Sequence, residues 1–393
     1  MGHGERKEMR EWIAVAWAPL LSLIFVIMGS CFFYFFVSIH LHHEGVDDRR
    51  LGIFHSSYFA GMLVGSWISD KVILRLGHAP ACGGSALVSG LSMLAMGISS
   101  SSFLWIVARF VQGVGVGLVY VVVESWILGC ASKGMRGKAL SVYMIVLYLT
   151  QVASQIIVDG VDLFSSVKPY LTGALLSWLG LFPMWISGSS APFFEPGHAE
   201  RKFWKICKHS PLGVVGGIGS GVILGCLYAF IAKFALVFGY SVALLMGMTL
   251  WGSVLGQWPM GWLSDHWNRS KLLTVNYGVL ASASLVIFFF PNDLTVTLIA
   301  SLVVGATAFT LYPQSIAVAC TPGGGRSGGA QLSITSVTAV IATAYGVGLT
   351  LGPLFLPFCT QSWGCPSLYG GIALFAAFLA LLGITILRID VNK

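Results

Sequence analysis

Gly65-Ser66-Trp67-Ile68-Ser69-Asp70 recurs, one residue shorter, as Gly261-Trp262-Leu263-Ser264-Asp265. Each copy closes an apolar run, and each is followed within a few residues by an arginine, Arg75 and Arg269. A second echo runs beside the first. Tyr120 with Arg136-Gly137-Lys138-Ala139-Leu140-Ser141 matches Tyr312 with Arg326 and Ala330-Gln331-Leu332-Ser333. Both echoes recur at a spacing of about 190–195 residues, half of a 393-residue chain. The sequence therefore reads as one unit used twice in the same orientation.

The flanking sequence says what that unit is made of. Twelve apolar runs are each long enough to cross a hydrocarbon core of about 20 helical residues. They fall near 12–39, 51–69, 80–99, 103–129, 138–160, 169–188, 212–238, 241–263, 271–290, 294–320, 329–357 and 366–388. The first is too long for a cleaved signal peptide and is expected to remain as a membrane helix. Hydrophobic residues make up 56% of the chain and charged residues 9%, against about 25% charged in soluble domains. Lipid penalises a charge at mid-bilayer by roughly 2.5–3.5 kcal/mol, so most of this surface is not in water. The 48 glycines suit helices that pack closely. The expected fold is an all-α polytopic membrane protein, with twelve transmembrane helices in two pseudo-symmetric six-helix bundles. The halves are 1–188 and 212–393, joined by a cytoplasmic linker at 189–211.

Charge sets the orientation. Seventeen of the 22 lysines and arginines fall on the side shared by both termini, and three (Arg49, Arg50 and Lys168) on the other. The remaining two, Arg109 and Lys233, lie inside apolar runs. The excess of cations marks the cytoplasmic side, so both termini are expected there, in a cell inner membrane. The net charge of +7 is scattered over short loops with no aromatic–basic module, which argues against a nucleic-acid partner. In the linker, Arg201, Lys202, Phe203, Trp204, Lys205 and Lys208 fit either an amphipathic segment on the anionic leaflet or a solvated connector.

An ionisable side chain inside a membrane run is costly and suggests function. Arg109 opens Arg109-Phe110-Val111-Gln112-Gly113-Val114-Gly115-Val116-Gly117. At a spacing of four, Arg109, Gly113 and Gly117 share a helix face. Arg109 and Gln112 then either line a polar pathway or brace two helices. Glu124, on the same run, is a gate partner for Lys71, Arg75 or Arg136, a proton site, or a static brace. Lys233 either meets an anionic substrate group or snorkels to the outer interface. Asp70 and Asp265 either cap the N-terminus of a facing helix, which would lock one access state, or are exposed loop carboxylates.

Other constellations are weaker. His40, His42, His43 and Glu44 lack the spacing of known metal sites, so neither a metal nor a cofactor is expected. Cys359 and Cys365 flank a short loop and could pair in an oxidising space. No nucleophile–base set or phosphate loop points to an enzyme. A non-transporting sensor on the same fold would need an output domain, and the predicted tails are short.

These residues resemble the major facilitator superfamily over essentially the whole chain. Gly65, Asp70, Lys71, Arg75 and Gly77 are similar to that family's gating motif between the second and third helices, with a longer spacing from Asp70 to Gly77. Arg109-x-x-Gln112-Gly113-x-Gly115 is similar to its fourth-helix motif, whose arginine the resemblance implicates in proton coupling. Tyr120-Val121-Val122-Val123-Glu124-Ser125-Trp126 and Gln257-Trp258-Pro259-Met260-Gly261 resemble the bacterial YcaD-type branch. The fifth run has no Gly-Pro pair and the first no acid, which weighs against a multidrug exporter. The resemblance implies a monomeric secondary active transporter with a small-molecule substrate, protons as coupling ion and lipids as surroundings. Taken with the charged residues read above, the expected site residues are Arg109, Gln112, Lys233 and Glu124 along the pathway, with Asp70, Lys71, Arg75, Gly77, Arg136, Asp265 and Arg269 at the gates.

Overall fold

The computed structural model describes residues 3–99, 101–132, 135–163, 165, 167–186, 207, 210–320, 334–364 and 366–391. The described chain is all helix and short turn. In the first half run α1 (His3–His43), α2 (Asp48–Leu76), α3 (His78–Ile98), α4 (Ser102–Gly129), α5 (Arg136–Gly160), α6 (Lys168–Leu179) and α7 (Leu181–Ile186). In the second run α8 (Pro211–Val237), α9 (Val242–His266), α10 (Arg269–Phe289), α11 (Leu294–Ala308), α12 (Leu311–Ala319), α13 (Ile334–Trp363) and α14 (Ser367–Val391). Helices satisfy their own backbone polar groups, which is what a lipid-exposed chain requires. Large apolar side chains accordingly face outward, Phe103, Ile156 and Trp258 among them.

Local chemistry explains the ends. Asn268 accepts hydrogen bonds from the Ser270 and Lys271 amides, and Asp293 from the Val296 amide, capping α10 and α11. Gly77, between α2 and α3, has φ 84° and ψ 168°, a region only glycine occupies without strain. Pro313 explains the break between α11 and α12. It has no N–H, and its ring collides with the carbonyl four residues back, that of Phe309.

Among the described residues, nine helices are long and apolar enough to cross a membrane. The three expected runs outside that set have identifiable causes. In α2 and α9, glycine, serine and other weakly apolar residues dilute the run. The sixth run divides at Gly180 into α6 and the six-residue α7. Of the expected 189–211 linker, all but residues 207, 210 and 211 lies outside the described residues, as does Cys365.

The chain forms two compact units, one of Met1–His40 with Ser57–Pro196 and one of Leu41–Ser56 with Gly197–Lys393. A division by sequence order alone would put Leu41–Ser56 with the first. In the first unit α3 packs on α4 and α6. In the second, α8 packs on α12 and α13, α9 on α11, and α10 on α14.

Backbone-to-backbone contact occurs in both units, and one such crossing is common to the two. A Cβ at Gly61 would lie 2.0 Å from the Phe110 carbonyl oxygen, and one at Gly113 would lie 2.0 Å from that of Tyr58. Gly65 and Gly117 repeat this one turn on, against Val114 and Met62. In the second unit Gly252 meets Leu302, Gly256 meets Ala306 and Gly305 meets Thr249 in the same way. Gly61, Gly65 and Gly113 map onto Gly252, Gly256 and Gly305 at offsets of 191–192 residues. The α2–α4 crossing is thus repeated as α9 on α11, but in a register that pairs Gly65 with Gly256 rather than with the Gly261 of the sequence echo, which has nothing within 4 Å of an added Cβ.

Candidate functional site

Arg109 sits one helical turn before Gly113, so the glycine crossing brings α2 against its face of α4. Its side chain is fully buried. The guanidinium carbon lies 5.0 Å from the Tyr34 ring centroid and 4.7 Å from that of Tyr58, within cation–π range of both. The two rings, from α1 and α2, meet edge to face at 5.5 Å. Arg109 Nη1 donates to Gln112 Oε1 at 2.8 Å. Gln112 is also fully buried, and its Nε2 donor has no hydrogen-bond partner among the described residues. This corner of the first unit presents a positive charge beside a spare donor, framed by aromatic faces. Tyr34 and Tyr58 complete it, and only the register of Gly61 and Gly65 against Gly113 and Gly117 foretells Tyr58. At the 192-residue offset the counterpart of Arg109 is Ser301, also buried. The charge therefore occupies one of two equivalent places.

The other expected residues are dispersed. Glu124 is partly buried on α4, fifteen residues and about 22 Å along the helix from Arg109. Among the described residues of its own unit it makes no ion pair with Lys71, Arg75 or Arg136. Lys71, Arg75 and Arg136 are exposed and Asp70 is partly buried, while Asp265 is exposed in the second unit. Arg269 Nη1 donates to the Ala317 carbonyl at 3.2 Å, tying α10 to α12. Arg136 and Arg269 each open a helix, where the dipole disfavours a cation. Helix stability does not account for either. His40 stacks on Trp105 at 5.6 Å, and no metal-binding group of His, Cys, Asp or Glu occurs among the described residues.

Two features escaped the sequence reading. Lys233 of α8 forms a partly buried ion pair with Asp48, at the start of α2. Asn276 of α10 donates from Nδ2 toward the Thr307 carbonyl, Thr310 Oγ1 and Gln314 Oε1 at 3.1–3.2 Å, clasping the Pro313 break. Interhelical amide bonds in membranes contribute about 0.6 kcal/mol on average and at most about 1.7. Asn276→Ala is therefore expected to lower the melting temperature of the purified protein by the equivalent of about 1 kcal/mol. An unchanged melting curve would show the clasp to be idle.

The chain is a helical, multi-pass membrane protein with a buried arginine beside the α2–α4 crossing, and its relatives are membrane transporters. The Major Facilitator Superfamily profile matches residues 20–339, and the chain belongs to that superfamily. It is 29% identical over 370 residues to an uncharacterised MFS-type transporter of Enterobacter sp. (strain 638), covering 92% of each chain. It is 29% identical over 355 residues to the uncharacterised MFS-type transporter YcaD of Escherichia fergusonii, covering 88% of this chain and 87% of that one. The fold is similar to the nucleoside transporter NupG, with TM-score 0.74 at 8% identity over 94% of this chain and 99% of that one. It is also similar to the xylose transporter XylE of E. coli, with TM-score 0.68 at 13% identity over 94% and 97%.

Proposed function

We propose that the chain is a secondary active transporter that moves a small solute across the cytoplasmic membrane by alternating access, coupled to protons. It works as a monomer, without cofactor or enzymatic step. Twelve spans form two six-helix halves, 1–188 and 212–393, joined by 189–211, with both termini cytoplasmic. The 17-to-3 division of cations supports this topology.

The observation that carries the reading is Arg109. A fully buried guanidinium in an apolar membrane helix is expensive, and the second repeat dispenses with it. Arg109 and Gln112 hold the solute or its coupled proton, with Tyr34 and Tyr58 as walls. Glu124, farther along α4, serves the gate or the proton's exit. Asp70, Lys71, Arg75, Gly77 and Arg136, with Asp265 and Arg269, form the gates at the cytoplasmic ends.

The test has two stages. Comparing metabolite uptake and efflux in cells with and without the gene identifies a solute. The purified protein is then placed in liposomes carrying that solute. An imposed pH gradient is expected to drive accumulation several-fold above the no-gradient control. Transport that ignores the gradient would remove proton coupling, and no transport of any solute would remove the reading itself.

A further inference from the structure

We propose that Asp48 and Lys233 form a separable ion-pair latch that holds the first turn of α2 on α8, at the end of α2 opposite Asp70. Its functional meaning rests on the transport reading above. Alternating access needs closure at both membrane faces, yet every gate residue named so far lies toward one. Asp70 stands 22 residues beyond Asp48 on one continuous helix, or about 33 Å, close to the thickness of a hydrocarbon core of about 30 Å. The pair is therefore placed at the other face.

Three contacts within the second unit fix this turn. Lys233 Nζ pairs with Asp48 Oδ1, the side chains being 22% and 15% exposed. The Arg49 guanidinium carbon lies 5.7 Å from the Phe358 ring centroid. Gly52, one turn on, meets α13 so closely that a Cβ there would fall 2.2 Å from the Pro353 carbonyl oxygen. The chain on both sides of Leu41–Ser56 is counted with the first unit.

The chemistry suits release. A mostly shielded pair gains from its mutual attraction only while it stays together, and each charge recovers water when they part, which offsets much of the cost of opening. The nearest atoms to a Cβ at Gly52 are the Pro353 carbonyl, with the Pro357 ring behind it at 3.5 Å, so the contact is mainly with backbone. Lys233 thereby has a role distinct from substrate binding or snorkelling.

Hydrogen exchange on the full chain in lipid nanodiscs tests the latch. Asp48→Asn and Lys233→Met are each expected to speed exchange of amides 44–56 by about tenfold or more, leaving α4 and α10 unchanged. The charge-swapped double variant D48K/K233D is expected to restore protection. Unchanged exchange in the single variants, general loosening of α4 and α10, or failure of the swap to restore protection would each overturn the proposal. If a single variant does not fold, the swap decides: folded and protected supports the latch, and otherwise it fails.

A second arm joins Asp48→Cys and Lys233→Cys with a short bis-methanethiosulfonate cross-linker, because two cysteines replacing a long lysine and an aspartate need not reach the Cα separation of a disulfide, with each single cysteine variant as background. The cross-link is expected to stop solute exchange in liposomes, and reductant to restore it. Undiminished transport by the cross-linked protein would overturn the latch. A wild-type protein that transports nothing would instead refute the transport reading, leaving the exchange result to judge the contact.

Discussion

An Arg109→Met variant is expected to keep its fold and lose its transport. Methionine has a similar length and no charge, so it fills the space between Tyr34 and Tyr58 without the desolvation cost of a guanidinium. Replacing buried charges by apolar groups of similar volume is often neutral or stabilising by about 1–4 kcal/mol. The melting temperature should therefore hold or rise. Transport of the identified solute in liposomes should fall at least about a hundredfold, the equivalent of ~2.7 kcal/mol, because the charge-assisted donor beside Gln112 is gone. Arg109→Lys should fall between the two, since a compact ammonium cannot lie against both rings and still reach Gln112. If Arg109 is instead a brace between helices, Arg109→Met should melt early, and its transport should decline only as far as the folded fraction declines.

Gly113→Leu is expected to be the most damaging single substitution in the first unit. Its Cβ would lie 2.0 Å from the Tyr58 carbonyl oxygen, a backbone atom that cannot rotate away. The helices would have to part by at least about 1 Å, and overpacking of this kind costs about 1–3 kcal/mol or more. The loss spreads to Gly61, Gly65 and Gly117, which lie on the same crossing. It also withdraws Tyr58 from Arg109, so transport should fall with stability. Gly278→Ala is the control. Nothing lies within 4 Å of its added Cβ, so it should be neutral or stabilising by up to about 1 kcal/mol through helix propensity. Melting curves of the two purified variants check both, and equal shifts would show the crossing to be unimportant.

What the sequence disclosed follows from how strongly each residue violates its surroundings. Arg109 and Lys233 stand out because a charge within an apolar run is rare. The duplication stands out because Asp70 and Asp265 end matching runs. Tyr58 is one aromatic among many, and its place beside Arg109 depends on an inter-helix register that no local pattern prints. Asp48 follows a polar His–Glu turn, where a carboxylate reads as exposed, so Lys233 lacked its partner. Asn276 is uncharged and passes for an ordinary polar residue. The runs at 51–69 and 241–263 read as spans by length. Their composition is softened by the glycines that let α2 and α9 approach α4 and α11.

Those glycines also set an order of assembly. α2 leaves the ribosome tens of residues ahead of α4, so the glycine face it fits does not yet exist. The α2–α4 crossing can close only after α3 has been made, and the α9–α11 crossing only after α10.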